Sequence, residues 1–151
     1  MESGGMERER AIELLSGGAD AVERWNRWRD REHGPFDLTH ANLSRADLAG
    51  ANLANVDLHS ANLSEAILVR ANLEGSDLHR TNLKGADLSH AILRGADLRA
   101  ANLSLARLFG ADLRKANIKK TSLGRAEADA DTRWPQGFDP KRNGVEPWPP
   151  A

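Results

Sequence analysis

The residues best suited to chemistry in this chain are two histidines that lie twenty residues apart. If the chain winds into a coil with that period, His59 and His79 stack on adjacent turns, about 5 Å apart, and could share a metal ion. The same column continues with two cations and lies beside an acidic column: Arg99, Lys119, Asp57, Asp77 and Asp97. We interpret this pattern as a solvated basic ladder beside an acidic ladder, and we predict no metal site and no cofactor.

Other motifs that carry chemistry are absent from the sequence. There is no cysteine, so neither a thiol nucleophile nor a thiolate metal site is available. The sequence contains no Gly-rich phosphate loop and no strained nucleophile turn. The formal net charge of −1 does not single out a nucleic-acid ligand. These features predict a protein that is not an enzyme, with no catalytic residues and no small-molecule substrate.

A five-residue repeat organises the chain. From Leu38 to Leu123, every fifth residue is leucine, with Ile118 as the exception. A small residue, most often alanine, lies two positions before each of these, and Asp or Asn fills the position between them in most units. The two positions that follow are rich in Arg, Lys, Ser, Gly and His. Residues 36–125 therefore form eighteen consecutive units.

A period of five fits neither a helix nor a continuous strand. Five residues turn an α-helix by about 500°, and an odd period alternates the faces of a strand. The two variable residues must therefore turn a corner, which leaves Leu and Ala to face the axis of a coil. Asp and Asn alternate with a period of ten or twenty, and the volume of the leucines favours four units per coil, or about 4.5 coils. One column predicts a ladder of side-chain amides: Asn42, Asn62, Asn82 and Asn102.

The triplets at this spacing, such as Ala41-Asn42-Leu43, resemble the repeats of the pentapeptide-repeat family. The flanks are similar to that family as well. The segment Trp25-Asn26-Arg27-Trp28-Arg29 resembles a WNxWR segment that precedes the repeats, and residues 134–140 resemble a WPxGFDP segment that follows them. The resemblance implies an all-β solenoid, a right-handed quadrilateral β-helix, with a short α-helical N-terminal cap.

A solenoid exposes its core at both ends unless the ends are capped. We predict a helical N-terminal cap over residues 1–35, the β-helix over 36–125, a C-terminal cap over 126–142 and a flexible Pro-rich tail over 143–151. Aromatic residues close to the ends are expected to cover the core: Trp25, Trp28, Phe36, Trp134 and Phe138.

Charge is unevenly distributed along the predicted rod. Residues 37–87 carry a net charge of −3, whereas residues 88–125 carry +6. The later coils therefore contain a candidate basic patch: Arg94, Arg99, Arg114, Lys115, Lys119 and Lys120. Such a dipole could orient a partner, although a solubilising surface is the simpler explanation.

Outward positions that carry unusual residues mark a candidate interaction face: Ile67, Val69, Ile92, Leu105, Arg107 and Phe109. A register of four units per coil places Ile67, Val69, Arg107 and Phe109 on one side of the rod. A contiguous apolar patch would indicate an interface, whereas scattered exposed apolar residues are normal. Polar residues interrupt this patch, namely Asp87 and His90.

Together these features favour a non-catalytic protein-binding or scaffold module with an unidentified protein partner. The family resemblance implies an alternative, because some members mimic DNA and modulate or protect DNA gyrase; the basic later coils argue against it. A lesser alternative is nucleic-acid binding through the basic patch, which has no aromatic platform beside it. We expect a monomer. No segment has the roughly 20 apolar residues of a membrane span or the pattern of a secretory signal, so we expect no membrane association and a cytoplasmic location.

Overall fold

The computed structural model describes residues 6–150, in which two short helices precede a long region of short parallel strands. Helix α1 spans Arg8–Leu15 and helix α2 spans Ala19–Arg29. The strands are β1 (Phe36–Asp37), β2 (Val56–Asp57), β3 (Glu127–Ala128) and β4 (Glu146–Pro147), and a 3₁₀ turn covers Lys141–Asn143. Residues 1–5 of the predicted N-terminal cap and residue 151 of the predicted tail lie outside the described residues. Within residues 6–150, no helix has the length and apolarity needed to cross a membrane.

Parallel pairing between residues twenty apart winds the chain into a coil, as the repeat predicts. Strand β1 pairs with β2 in the register Phe36 to Val56. Single parallel bridges continue this pairing around the other sides of the coil: Asn42 to Asn62, Asp47 to Ile67 and Asn52 to Asn72. Each paired segment is very short, because a corner follows it after every five residues.

Leucine and alanine fill the axis of the coil. Leu68, Leu88 and Leu108 occupy equivalent positions on successive coils, and each is completely buried. The alanines two positions earlier are also buried and belong to the same apolar cluster. Because burial of one leucine side chain contributes roughly 1.5–3 kcal/mol, these columns provide the main stabilisation of an otherwise thin rod.

The last residue of each unit has a left-handed backbone conformation, and this conformation turns the corner. The φ angles of His40 and Arg45 are 58° and 60°. Across the first of these turns, the N–H of Ala41 donates to the carbonyl of Leu38 at 3.1 Å. A positive φ at the third residue is what a type II turn requires. Glycine adopts it without a steric penalty, which explains the recurrence of glycine at this position: Gly50, Gly75, Gly85, Gly95 and Gly110.

The Asp and Asn side chains take part in the corner and do not only face water. Oδ1 of Asp57 accepts the N–H of His59 at 3.0 Å, and Oδ1 of Asn62 accepts the N–H of Ser64 at 3.0 Å. These are Asx turns, in which the side chain mimics a backbone carbonyl. The predicted ladder of asparagine amides is wrong, since no hydrogen bond joins one amide of that column to the next in residues 6–150. In each of these units, Oδ1 of the asparagine instead accepts the backbone N–H two residues later, in the local turn.

Polar residues replace alanine at a few axial positions without leaving an unpaired group. The hydroxyl of buried Thr81 donates to the carbonyl of Leu58 at 2.7 Å, and the hydroxyl of buried Ser76 donates to the carbonyl of Leu73 at 2.7 Å. Because an unpaired buried hydroxyl would be costly, these bonds explain how the departures from alanine are tolerated.

The N-terminal helices close the first coil through both apolar and polar contacts. Trp25 is completely buried, and its ring lies 5.2 Å from Trp28 and 5.4 Å from Phe36 between centroids. The indole N–H of Trp25 donates to the carbonyl of Asn52 at 2.8 Å. The N–H of Asn52 in turn donates to Oδ1 of Asn26 at 2.7 Å. These side chains supply partners to backbone groups that have no coil beneath them.

The C-terminal segment folds over the last coil. Trp134 and Phe138 lie 5.0 Å apart between ring centroids and pack partly buried against the core. The sequence predicts a flexible tail from residue 143, but β4 instead pairs with β3 in parallel. The N–H of Glu146 donates to the carbonyl of Ala126 at 2.7 Å, and the N–H of Trp148 donates to that of Ala128 at 2.8 Å. The tail is ordered there because it satisfies backbone groups of the last coil.

Candidate interaction surface

The structure brings four residues of the predicted interaction face onto one side of the coil. Parallel bridges run from Ile67 to Asp87 and from Asp87 to Arg107, so these residues lie on three successive coils. Val69 and Phe109 follow two positions after Ile67 and Arg107 and point from the same side. Ile67 is 42% exposed, which is unusual for a residue of its size in this chain.

The other two residues of the predicted face lie elsewhere. Ile92 is half-buried and forms bridges with Asn72 and Asp112, on the next side of the coil. Leu105 is 45% exposed at a corner, where its φ is 62°. Ile92 therefore lies on a different side from Ile67, whereas Leu105 lies at the corner that begins the side of Arg107, at its opposite end from Phe109.

One aromatic residue that the sequence analysis did not include joins this side of the coil. Trp148 follows β4, and its ring lies 6.1 Å from that of Phe109 between centroids. It is 53% exposed. We call the surface formed by Ile67, Val69, Phe109 and Trp148 the apolar face. The register of β3 and β4 places Trp148 two coils after Phe109, but this interval is 39 residues and not 40, so a search for the constant repeat does not find it.

The apolar face is formed at a local cost in hydrogen bonding. Ile67 and Arg107 occupy the Asp/Asn position but have no oxygen to accept an N–H. The N–H groups of Val69 and Phe109 therefore lack the Asx hydrogen bond that Ser89 makes to Asp87 between them, at 3.0 Å. One such hydrogen bond contributes about 0.5–1.5 kcal/mol to stability. The units of Ile67 and Arg107 each lack this contribution.

Polar and charged residues lie within the apolar face and beside it. Arg107 lies on its outer surface, with Nε 3.9 Å from Oε1 of Glu127. Asp87 lies between Ile67 and Arg107 and accepts the hydroxyl of Ser89 at 2.6 Å. The coil of Asp87 and Ser89 therefore divides the apolar face into two parts, Ile67 with Val69 and Phe109 with Trp148.

Each cap of the coil has a depression in its surface. One of about 570 Å³ lies between the two helices and is lined by residues that include Leu14, Arg24 and Trp28. Another of about 320 Å³ lies beside the apolar face, between Trp134 and Trp148.

The predicted basic patch divides into paired arginines and unpaired lysines. Arg94 and Arg114 both contact Asp112, at 3.3 and 2.8 Å. The hydrogen bond from Arg114 lowers the pKa of Asp112 below its usual range, and burial opposes this effect only in part.

Arg99 is likewise paired with Asp97, at 2.7 Å, and lowers the pKa of that carboxyl by hydrogen bonding. Within residues 6–150, no carboxylate pairs with the three lysines of the patch: Lys115, Lys119 and Lys120. The patch thus presents less free positive charge to a phosphate backbone than its composition suggests.

The histidine column has the spacing that the coil predicts. The rings of His59 and His79 lie 4.9 Å apart between centroids, and His40 lies 6.1 Å from His59. Within the part of the chain that the structure describes, no three His, Cys, Asp or Glu side chains come together as a metal site. The backbone N–H groups of His59 and His79 donate to Asp57 and Asp77, so the acidic column shapes the turns beneath the imidazoles.

Comparison with known proteins gives a consistent result. The family model for pentapeptide repeats matches eight copies, over residues 37–68, 57–95, 66–104 and 91–127. Among solved structures, the chain is similar to HetL, a pentapeptide repeat protein involved in heterocyst differentiation regulation from the cyanobacterium Nostoc sp. strain PCC 7120. That match has 37% identity and a TM-score of 0.56, and it covers 62% of this chain and 48% of HetL. This chain therefore spans about half the length of HetL.

Two further solved structures are similar to the chain. The pentapeptide repeat protein alr5209 from Nostoc PCC 7120 is 36% identical, with 86% of this chain and 95% of that chain covered and a TM-score of 0.45. Rfr23 from the cyanobacterium Cyanothece 51142 is 28% identical, with 75% and 99% covered and a TM-score of 0.44. No curated protein matches the chain.

Proposed function

Because the chain belongs to the pentapeptide-repeat family, whose members are generally structural or binding modules, we propose that it is a non-catalytic protein-binding or scaffold module. The observation that carries the proposal is the apolar face, where Phe109 and Trp148 pack against each other while Trp148 stays 53% exposed. Partly exposed aromatic residues are common anchors of protein interfaces.

The local cost of the apolar face supports this assignment. Ile67 places an apolar side chain in water and leaves the N–H of Val69 without its Asx acceptor. Asparagine at this position would supply that acceptor, as Asn62 does for Ser64. A departure that lowers local stability without an evident structural gain is expected at a functional site.

The two alternative functions have less support. Nucleic-acid binding through the basic patch would require Arg94, Arg99 and Arg114 to leave Asp112 and Asp97. Mimicry of DNA toward gyrase would require an acidic surface, but residues 88–125 carry a net charge of +6.

Affinity capture with matched variants tests the proposal. Ile67→Asn replaces the apolar side chain and restores the Asx acceptor, so stability is expected to stay within about 1 kcal/mol of the wild type. Phe109→Asp removes the aromatic centre of the apolar face. Leu105→Asp is the control, since the exposure of Leu105 is similar to that of Ile67 but Leu105 lies at the opposite corner of this side from Phe109 and Trp148.

Proteins captured from the native host by the wild type and by Leu105→Asp should be at least tenfold depleted with Ile67→Asn and with Phe109→Asp, as expected for loss of an interface anchor. Capture of the same proteins at equal levels by all four forms would refute the assignment of the apolar face.

A further inference from the structure

Residues 115–123 form two sides of the coil at its C-terminal end, and the backbone groups that would pair with a further coil lack partners there; we call this segment the open edge. In the coil below it, four N–H groups donate to the next coil: Gly95 to Arg114 at 3.1 Å, Leu98 to Asn117 at 2.8 Å, Ala100 to Lys119 at 3.0 Å and Leu103 to Ser122 at 2.7 Å. The equivalent N–H groups of the open edge donate to no atom of residues 6–150: Lys115, Ile118, Lys120 and Leu123.

Carbonyl groups follow the same pattern. The carbonyls of Ala96 and Ala101 accept from the coil above, at 2.9 Å in both cases. One coil later, the carbonyls of Ala116 and Thr121 accept no hydrogen bond from residues 6–150. The open edge therefore offers both the donors and the acceptors that a further parallel strand would need.

Side-chain exposure shows that this edge faces solvent. Leu98 is completely buried, whereas Ile118, at the same position one coil later, is only partly buried. Asn117 and Ser122 are exposed, although Asp97, directly below Asn117, is half-buried. The C-terminal segment covers other parts of the last coil, because it pairs Arg133 with Asp112 and β4 with β3.

The charge of the open edge selects the chemistry of its partner. Its sequence, KANIKKTSL, contains three lysines and no acidic residue. Within residues 6–150, none of these lysines pairs with a carboxylate, whereas the neighbouring Arg114 is held by Asp112 at 2.8 Å. Unpaired cations beside unpaired backbone groups would complement an acidic strand.

We propose that the open edge binds an acidic segment of a partner protein, which adds to the coil as two short parallel strands joined by a corner, because the edge itself turns at Lys119 and Lys120. The segment's carbonyls accept the N–H groups of Ile118, Lys120 and Leu123, and its N–H groups donate to the carbonyls of Ala116 and Thr121. Its outward carboxylates lie beside the lysines. Main-chain hydrogen bonds would supply affinity and the carboxylates would supply specificity.

A second copy of the chain is a poorer occupant of the open edge. Two such edges placed together would oppose lysine to lysine, which is the arrangement that natural proteins use to prevent pairing between edges. The other end of the rod is covered by the helical cap, with Trp25 buried over the first coil. The open edge is separate from the apolar face, so a negative result at one of these sites does not contradict the proposal for the other.

A labelled nine-residue peptide with the sequence of the open edge and glutamate in place of its three lysines, EANIEETSL, provides the test. We expect saturable binding by fluorescence anisotropy, together with slower amide hydrogen exchange at Ile118, Lys120 and Leu123. A peptide with lysine in place of glutamate should bind at least tenfold more weakly. N-methylation of the third and eighth residues of the glutamate peptide should abolish binding, because their N–H groups are equivalent to those of Asn117 and Ser122, which donate to the coil below. N-methylation of its fourth and ninth residues should leave binding unchanged, because the equivalent N–H groups of Ile118 and Leu123 do not donate to the coil below.

Charge-reversal variants of the protein test the charge of the open edge without changing its backbone. Lys119→Glu combined with Lys120→Glu should weaken peptide binding at least tenfold, whereas Arg24→Glu combined with Arg31→Glu, exposed in the helical cap at the other end of the coil, should leave it unchanged. The proposal is overturned if both N-methylated peptides bind like the parent or if exchange at the three amides does not slow. It is also overturned if hydrogen exchange at those amides slows only where sedimentation shows that the chain self-associates. Tighter binding of single-stranded DNA than of the acidic peptide to the lysines would overturn it as well.

Discussion

Replacement of Asn26 by alanine tests how the first coil of the solenoid ends. Asn26 donates from Nδ2 to the carbonyl of Gly50 at 2.9 Å and accepts the N–H of Asn52 at 2.7 Å. Each hydrogen bond contributes about 0.5–1.5 kcal/mol net, so Asn26→Ala should cost about 2 kcal/mol. Asn26→Asp keeps only the acceptor and should cost about half as much.

The loss should be local to the first coil. In a solenoid, each repeat contacts mainly its neighbours, so a weakened cap lets the end open before the rest unfolds. Native-state hydrogen exchange measures this directly, and the N–H of Asn52 should exchange about thirtyfold faster in Asn26→Ala, the factor that about 2 kcal/mol implies.

A control for this experiment lies one residue away. Arg27 has a side chain that is 71% exposed, and among residues 6–150 its one ion pair is with Glu23 on the same helix. Because exposed pairs of this kind contribute little, Arg27→Ala should leave exchange at Asn52 unchanged. Equal exchange at Asn52 in Asn26→Ala and the wild type would refute the view that this side chain caps the edge.

Two further predictions concern the corners and their charges. Gly95→Ala should cost about 1 kcal/mol by denaturant unfolding, because its φ is 66° and an added Cβ meets nothing within 4 Å. Gly110→Ala should cost more, since its Cβ would lie 2.5 Å from Nδ1 of His90, and His90→Ala should remove the excess; equal costs for both glycines would contradict this account. As for pH, the lowered pKa of Asp112 stabilises the fold above the pKa of the unfolded chain, and this stability is lost as the pH falls through the folded pKa. Asp112→Asn should therefore flatten the decline in unfolding free energy between about pH 5 and pH 2, and an unchanged slope would contradict the prediction.

The sequence predicts the coil well because one position in five is almost invariant. Leucine at a fixed spacing determines which residues face the axis, and the bridge from Asn42 to Asn62 has the predicted period. The left-handed corner is also visible, since Gly50 and its equivalents all occupy the same position in their units. What the repeat does not show is the Asx turn, because an Asp or Asn beside a corner is equally compatible with simple solvation.

The ends are less predictable, because they depend on contacts without a period. The aromatic content of the N-terminal segment indicates a cap, but not that Asn26 would bind the backbone of Asn52. At the other end, the pairing interval changes from twenty residues to twenty-one at Asp112 and Arg133, and to nineteen at Glu127 and Glu146. A search for a constant spacing therefore loses the last strand, and with it the position of Trp148.

The requirements of the fold limit where function can lie. In each unit, Leu and Ala are committed to the axis, the Asp or Asn oxygen to the turn, and the last residue to a left-handed φ. Only one position per unit is then free of a structural task, so binding specificity must come from that position, from units that give up a structural task, or from the ends. Ile67 has no oxygen to form the Asx turn, and the open edge is where the hydrogen bonds between successive coils stop. These are the places where selection for binding would have to act against stability, and for that reason they are stronger candidates than the paired arginines, whose hydrogen bonds to Asp97 and Asp112 serve the corner itself.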